Sequence, residues 1–277
     1  MYSFIILHFG NINDTIEALV SLKSFNNDYH IIVVDNNTLN DKDEALIKKF
    51  TSDIVKLDKN YGFAKANNKG ILYAKKKYNS KYYIVMNNDV FINQGEFLNI
   101  IDKDYQEYKF DMMGPNITSP SGESVNPFPV LKTKDEVINE INKCNKLIKI
   151  YNNSLLYLLL NVYLKIKHLI KRTKKPVNGN EINTSSPLHG CCIIFSDKYI
   201  NKYKDPFYND TFLFHEEEFL YQRVINDKLV SLYDPNLCIY HKEGSSINKS
   251  NKNIRLSKLF RVKERIKSLE LLLKEFK

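Results

Sequence analysis

Residues 82–89 combine an apolar run with a polar end that could hold a metal ion. Residues 82–86 are aromatic or aliphatic, the pattern of a strand buried on both faces, and Asn87, Asn88 and Asp89 follow at once. Open α/β sheets bind ligands at the carboxyl ends of their strands, so Asp89 could hold a divalent cation that binds a diphosphate. The same residues also fit a polar turn in which Asp89 caps the next helix.

Other predicted strands end in polar residues in the same way. Apolar runs in the first 90 residues alternate with helical patterns, which favours a parallel sheet with helices on both faces. Right-handed connections would place the strand ends on one edge of the sheet. Those ends carry His8, Asp35, Asn37, Asp58 and Asp89. Carboxylates crowded together repel one another unless a positive charge lies between them, so the pattern again indicates a cation site.

Two later segments carry further groups that could do chemistry. Glu216, Glu217 and Glu218 follow the aromatic run at residues 212–214, which would raise the pKa of a carboxylate and suit a general base. The same three glutamates could simply complement the dipole of a helix. His241 follows a short predicted strand, and it could join Asp89 in a site for Mn²⁺ or Mg²⁺ or serve a structural purpose.

Composition narrows the class of protein. The 277 residues carry a formal charge of +9, which favours a polyanionic partner: nucleic acid, an anionic membrane or a phosphorylated substrate. Four cysteines without CxxC spacing give neither a disulfide framework nor a zinc motif, so we expect a reduced, cytoplasmic protein. The amino-terminal run predicts a first strand rather than a signal peptide, and no apolar run is long enough to cross a bilayer.

The second half of the chain predicts a helical insertion at about 132–175 within a catalytic domain of residues 1–250. A basic amphipathic helix at 251–277 follows. Residues 155–164 are nearly all apolar and residues 165–175 are basic, which suits a helix lying on an anionic membrane or a helix packed on the domain with a solvated basic face. Residues 176–187 are rich in Asn, Ser and Gly and predict a mobile loop over the site.

Six segments in order resemble glycosyltransferase family 2, most closely its bacterial rhamnosyltransferase-like members. They are VVDNN at 33–37, NYGFAKANNKG at 60–70, NND at 87–89, HG at 189–190, FLFHEE at 212–217 and HKEGS at 241–245. The resemblance covers about residues 3–246. It implies a GT-A fold, a Rossmann-like, mainly parallel α/β sheet, and inverting, metal-dependent transfer of a sugar from a nucleotide-sugar.

The resemblance also implies roles for individual residues. Asp89 stands at the metal-binding position of the family's DxD-type motif, although Asn87 replaces its first acid, and His241 matches the histidine that completes the metal and diphosphate site. Glu217 matches the usual base, with Glu216 as a rival because the family has Glu-Asp here. The implied nucleotide-sugar contacts are His8, Asp35, Asn37, Asp58, Asn60, Gly62, Lys65 and Asn88.

The expected reaction moves a sugar from dTDP-rhamnose or a UDP-sugar to a hydroxyl of a glycan. The resemblance implies bacterial surface polysaccharide synthesis. The basic helices favour a lipid-linked glycan as acceptor and a peripheral place at the inner face of the cell membrane. A nucleotidyltransferase is the nearest enzymatic alternative, but no glycine-rich phosphate loop follows the first strand. A non-catalytic scaffold at the membrane is another alternative, whereas nucleic-acid binding lacks a recognition motif.

Overall fold

The computed structural model describes residues 1–120, 122, 124–169, 181–242 and 254–276. The loop predicted after His241 (243–246), the first part of the predicted mobile loop (176–180) and residues 170–175 of the basic run lie outside this part of the chain. So do the side chains of residues 165–169.

An eight-stranded sheet forms the centre of the molecule, in the order β3-β2-β1-β4-β7-β6-β8-β5. Its strands are β1 (Tyr2–His8), β2 (Tyr29–Asp35), β3 (Ile54–Lys56), β4 (Tyr82–Asn87), β5 (Val90–Phe91), β6 (Met112–Thr118), β7 (Cys192–Ser196) and β8 (Ser231–His241). β1 to β4 pair in parallel, as the alternation of strand and helix predicts.

The other half of the sheet is mixed. β7 lies antiparallel between β4 and β6, and β8 then pairs in parallel with β6. Since β4, β6 and β8 run in the same direction, their carboxyl ends share one edge, and β7 begins at that edge. The connection from β6 to β7 therefore leaves and re-enters the sheet on the same side. The residues just before β7 therefore lie at the edge where β4, β6 and β8 end.

Nine helices are described. They are α1 (Ile12–Ser21), α2 (Asp41–Ile47), α3 (Ala64–Tyr78), α4 (Phe97–Tyr108), α5 (Lys134–Asn152), α6 (Ser154–Leu169), α7 (Asp197–Lys202), α8 (Glu216–Asp227) and α9 (Ile254–Glu275). Apolar residues of α1 and α4 pack on one face of the sheet, and those of α3 and α8 pack on the other. Helices on both faces are the predicted arrangement.

The helical insertion and the carboxyl-terminal helix pack together. Val137 and Cys144 of α5 join Leu269 and Leu272 of α9 and Phe219 of α8 in a third apolar cluster, and all five are almost fully buried. α6 differs, because Leu155, Leu158 and Leu159 expose more than half of their surface. Among the described helices none is long and apolar enough to cross a membrane.

Two sequence expectations differ from the structure. The apolar runs at 229–233 and 238–240 predict two short strands, but β8 is continuous from Ser231 to His241. A register shift at Pro115/Asn116 of β6 accommodates its middle. The sequence predicts Asp41 as the cap of the helix at 41–50, but the cap of α2 is Asn40, whose side chain accepts hydrogen bonds from the Lys42 and Asp43 amides.

Candidate active site

Asp89 and His241 lie side by side because of strand register. Val90 of β5 pairs directly with His241 of β8, and the Lys242 amide donates to the Asp89 carbonyl at 3.0 Å. This pairing places His241 Nε2 3.2 Å from Asp89 Oδ1. Two residues that are 152 positions apart thus form a carboxylate–imidazole pair at the carboxyl edge of the sheet.

The pair opens into a cavity of about 260 Å³, which we call the first cavity. Its lining is Leu7, Phe9, Asn36, Asn60, Gly62, Phe63, Asn87, Asn88, Asp89, Leu213 and His241. The lining combines four apolar side chains with four amides, and the carboxylate of Asp89 lies beside the imidazole of His241. Such a cavity suits a ligand with a flat apolar ring, a polar linker and an anionic group.

Asn36 shapes the loop on the rim of the first cavity. Its amide nitrogen donates to Asn60 Oδ1 and to the Gly62 carbonyl, both at 3.0 Å, and its oxygen accepts from the Tyr61 amide at 2.8 Å. The amide of Phe63, which follows Gly62, donates to the Phe212 carbonyl at 2.9 Å. The loop that carries Asn60 and Gly62 is therefore held by the end of β2 on one side and by the segment before α8 on the other.

A second cavity, of about 520 Å³, adjoins the first, and Phe63, Asn87 and Leu213 line both. Glu217 lines the second cavity, and its Oε1 accepts a hydrogen bond from the Gly190 amide at 3.0 Å. A Cβ on Gly190 would lie 2.9 Å from that oxygen, so the close approach depends on glycine here. The carboxylate of Glu217 thus faces a cavity next to the Asp89–His241 pair.

Glu216 and Glu217 differ in their surroundings. Burial raises the pKa of both, and the charges of neighbouring glutamates raise them further, to about 8 for Glu216. Glu217 is partly exposed and has the Gly190 amide, which favours its charged form. Glu216 is 6% exposed, and its Oε1 has no hydrogen-bond partner among the described residues. Burial without a hydrogen-bond partner thus favours the neutral form of Glu216, whereas the Gly190 amide favours the charged form of Glu217.

Arg265 of α9 supports the first turn of α8. Its Nε donates to His215 Nε2 at 3.3 Å, so the other ring nitrogen of His215 carries the proton and faces Glu218 Oε1 at 3.1 Å. Arg265 also pairs with Glu140 of α5 at 3.1 Å. His215 and Phe214 adopt the left-handed backbone, with φ of 68° and 75°, a conformation that costs free energy in non-glycine residues. This network holds the turn that presents Glu217.

His189 is a neutral imidazole that lines the second cavity with Glu217 and lies near His241. Its ring centre lies 5.9 Å from that of His241, and it lines the second cavity. Burial, with a smaller contribution from His241, lowers the pKa of His189 to about 4. The Cys191 amide donates to its Nδ1 at 3.0 Å, so Nε2 carries the proton and can donate.

The other predicted site residues lie around the first cavity at different distances from it. Asn60, Gly62 and Asn88 line it, although the Asn88 amide also donates to Thr15 Oγ1 at 3.0 Å. His8 is fully buried with its Nδ1 2.6 Å from the same hydroxyl, and it does not line the cavity. Burial lowers the pKa of His8.

Four further predicted residues also lie outside the lining of the first cavity. Asp35 accepts from the Thr38 and Leu39 amides, so its carboxylate holds the turn after β2. Asp58 is exposed, and a hydrogen bond from Tyr61 lowers its pKa. Asn37 is exposed with φ of 65°, and Lys65 lines a separate cavity with Tyr61. Asp35 and Asp58 thus have local partners of their own, whereas Asp89 faces His241.

The Asp89–His241 pair can hold a divalent cation only together with a ligand. Within the described ranges no group of three or more His, Cys, Asp or Glu side chains has metal-binding geometry. One carboxylate and one imidazole fit Mn²⁺ or Mg²⁺ when diphosphate oxygens and water supply the remaining ligands, as is usual for magnesium at phosphate sites. The residues present therefore fit a cation that binds with its diphosphate.

Several residues that shape the site are not among those that the sequence predicts for it. Asn36, Glu140 and Arg265 were not assigned to it, and His189 was noted only as part of a motif. Asn36 could have been found, because it directly follows Asp35 at a strand end. Glu140 and Arg265 carry no local signal, since their positions depend on the packing of α5 against α9.

Comparison with known proteins gives one family and one fold. The family model described as "Glycosyl transferase family 2" matches residues 3–169, more than half of the chain. The search of curated proteins gave no match.

Solved structures share the fold at low identity. S. aureus TarS superposes with a TM-score of 0.56 at 14% identity, over 87% of this chain and 36% of the TarS chain. TarS 1–349 in complex with UDP superposes with a TM-score of 0.55 at 13% identity, and the match covers 99% of this chain and 70% of the TarS chain. A third match is the mannosyltransferase PcManGT from Pyrobaculum calidifontis in complex with GDP-Man and Mn²⁺. Its TM-score is 0.53 at 8% identity, and the match covers 99% of this chain and 72% of the PcManGT chain. The chain thus spans about a third of the length of the first TarS structure.

Proposed function

Because the chain belongs to glycosyltransferase family 2 and has the GT-A fold, we propose that it transfers a sugar from a nucleotide-sugar to a hydroxyl group of a glycan. One observation carries the proposal. The first cavity, with Asp89 and His241, shares Phe63, Asn87 and Leu213 with the second cavity, where Glu217 lies. A cation-binding site for a diphosphate and a candidate base therefore face one continuous space.

The first cavity is the proposed donor site. Its flat apolar side chains suit a nucleobase, and the amides of Asn36 and Asn60 suit the ribose and phosphates. UDP bound to TarS 1–349 and GDP-Man bound with Mn²⁺ to PcManGT support a nucleotide-sugar in this position. We propose dTDP-rhamnose or a UDP-sugar as the donor, since the sequence most resembles the rhamnosyltransferase-like members of the family.

The proposed reaction is a direct displacement with inversion. Glu217 accepts the proton of the acceptor hydroxyl, whose oxygen bonds to the anomeric carbon as the bond from that carbon to the diphosphate oxygen breaks. The products are the lengthened glycan, the nucleoside diphosphate and a protonated Glu217. A divalent cation held by Asp89 and His241 would supply positive charge beside the departing diphosphate. Asn60 and Gly62 hold the donor in place, and the walls of the second cavity orient the acceptor.

The proposed acceptor is a lipid-linked glycan of bacterial surface polysaccharide synthesis, reached at the inner face of the cell membrane. Two features support this proposal: the formal charge of +9, which attracts anionic lipid, and the exposed leucines of α6. Helix α6 would lie against the bilayer while the second cavity faces the glycan.

The donor site can be tested by measuring the binding and transfer of UDP-, GDP- and dTDP-sugars with and without Mn²⁺. We expect one nucleotide to bind measurably by calorimetry only when Mn²⁺ is present, and the matching nucleotide-sugar to lose its sugar to an acceptor. Asp89→Ala should abolish the effect of the cation on binding, because it removes the only carboxylate of the Asp89–His241 pair. Unchanged nucleotide affinity in Asp89→Ala would contradict the assignment, and release of pyrophosphate from a nucleoside triphosphate would favour a nucleotidyltransferase.

A further inference from the structure

A third cavity, of about 300 Å³, lies between α5, α9 and the segment before α8. Its lining is Leu147, Tyr151, Phe214, Lys258, Arg261, Val262 and Arg265. Phe214 and Arg265 also line the second cavity, so the two spaces adjoin. The three cavities follow one another, with the Asp89–His241 pair in the first, Glu217 in the second and a set of cations in the third.

The cations of the third cavity lie on one face of α9. Lys258, Arg261 and Arg265 follow at spacings of three and four residues, which makes them neighbours along the helix. Arg265 is paired with Glu140. In the part of the chain that the structure describes, neither Lys258 nor Arg261 forms an ion pair with a carboxylate; instead they lie over the rings of Tyr157 and Phe214, at 5.4 and 5.7 Å from the ring centres. The third cavity therefore has a surplus of positive charge.

The surroundings of the third cavity suggest what kind of anion it holds. Arg255 ties the start of α6 to α9, since its Nη1 donates to Ser154 Oγ at 2.7 Å and its Nη2 to the Asn152 carbonyl at 2.9 Å. The exposed leucines of α6 begin at Leu155, directly after this junction. An apolar surface thus lies near the start of α9, where Lys258 contacts Tyr157 of α6, whereas Arg265 further along the helix contacts His215. This order suits a ligand with a phosphate between a polar part and a hydrocarbon chain.

We propose that the third cavity binds the phosphate or diphosphate group of the acceptor, with Arg261 and Lys258 as its principal ligands. This inference rests on the proposed function, because it takes the second cavity as the place of the acceptor hydroxyl. The guanidinium of Arg261 matches phosphate oxygens in a two-pronged geometry, and Lys258 adds a point charge. The glycan then extends toward Glu217 and the lipid chain toward α6.

Direct binding of geranyl diphosphate to the full chain tests the site without any sugar transfer. Binding is measured by calorimetry in EDTA, so that no divalent cation is bound in the first cavity. Arg261→Ala should weaken binding of geranyl diphosphate at least about tenfold, and the double variant K258A/R261A should weaken it about a hundredfold. The matched control is K263A/K274A, which removes two exposed lysines of the same helix and leaves the third cavity intact. Equal losses in both double variants would overturn the proposal.

Two further measurements separate the possible outcomes. If the cations serve bilayer headgroups instead, K258A/R261A will lose binding to phosphatidylglycerol vesicles and keep its affinity for geranyl diphosphate, and the proposal fails. Asp89→Ala should keep geranyl diphosphate binding. Diphosphate binding that depends on Arg261, in a protein that binds no nucleotide, would support the third cavity and count against the proposed transferase function alone.

Discussion

Glu216 and Glu217 are adjacent in the chain and yet suit opposite protonation states. The Gly190 amide stabilises a negative charge on Glu217, which faces the second cavity. Glu216 has lost most of its contact with water and has an oxygen without a hydrogen-bond partner in the described structure. A base must be deprotonated to accept a proton, so the surroundings favour Glu217 over Glu216 for that task.

Glutamine substitutions at the two positions test this difference. Glu217→Gln should lower kcat by about 10²–10⁴, because an amide cannot accept the proton of the acceptor hydroxyl. Glu216→Gln should leave kcat close to that of the wild type, since glutamine resembles a protonated glutamate in size and polarity. Steady-state kinetics with the identified donor would measure both. The opposite pattern would assign the base to Glu216.

The protonation of Glu216 also predicts how stability depends on pH. The folded protein keeps the Glu216 proton up to a pKa of about 8, whereas the unfolded chain releases it near the ordinary value of 4.5. Between these values the folded state binds more protons, so the free energy of unfolding should fall as the pH rises through this window. Denaturant unfolding at a series of pH values should show a shallower fall for Glu216→Gln. An equally steep fall in that variant would mean that Glu216 does not titrate as described.

At the scale of elements, the site depends on a contact between two loops. The loop with Gly62 lies against the segment before α8, where the Phe63 amide bonds to the Phe212 carbonyl. Gly62 has φ of 78°, and a Cβ there would lie 2.0 Å from the Phe212 carbonyl oxygen. The rim of the first cavity and the turn that carries Glu217 are therefore in direct contact.

Gly62→Ala should force these two loops apart. We expect a lower melting temperature and a nucleotide affinity reduced at least about tenfold, because the left-handed backbone and the collision both oppose the native loop. Gly95→Ala is the matched control, since a Cβ at Gly95 meets no atom within 4 Å. Differential scanning calorimetry and nucleotide titration would compare the two variants. Nucleotide binding by Gly62→Ala as tight as that by Gly95→Ala would show that the loop contact is dispensable.

The sequence predicted the elements whose signal is local. Strands β1 to β4 and the helices between them follow from apolar runs and periodicity. β3 is only partly buried, and β4 ends at Asn87, the first of the polar residues after the apolar run. Pro235 interrupts the apolar pattern of β8, so the sequence predicts two strands there. The structure has one strand, because a register shift against β6 accommodates the residues around Pro235. The contact of Arg265 with His215 could not be predicted, since it joins residues 50 positions apart through the packing of α9.

At the scale of the whole molecule, α9 connects α5 to α8, the helix that carries Glu217. Leu269 and Leu272 are fully buried against α5 and α8, and Arg265 on the same helix reaches His215. The carboxyl-terminal helix therefore contributes both to the apolar packing and to the support of the turn before Glu217.

Substitutions on the two sides of α9 should differ strongly in their effect on stability. Leu269→Ala should lower the free energy of unfolding by about 2–5 kcal/mol, because it leaves a cavity in the cluster around Phe219. Leu256→Ala, at a side chain that is 60% exposed, should change it by less than about 0.5 kcal/mol. Urea unfolding would measure both changes. A small loss in Leu269→Ala would mean that α9 is not an integral part of the folded core.

The antiparallel position of β7 determines where chains with this strand order can vary. β6 ends and β7 begins at the same edge of the sheet, so the connection between them is an insertion between two neighbouring strands. Its length and sequence can change without disturbing the pairing that joins Asp89 to His241. The helices α5 and α6 could therefore vary between relatives, provided that the contact of Gly190 with Glu217 and that of Arg265 with His215 are kept.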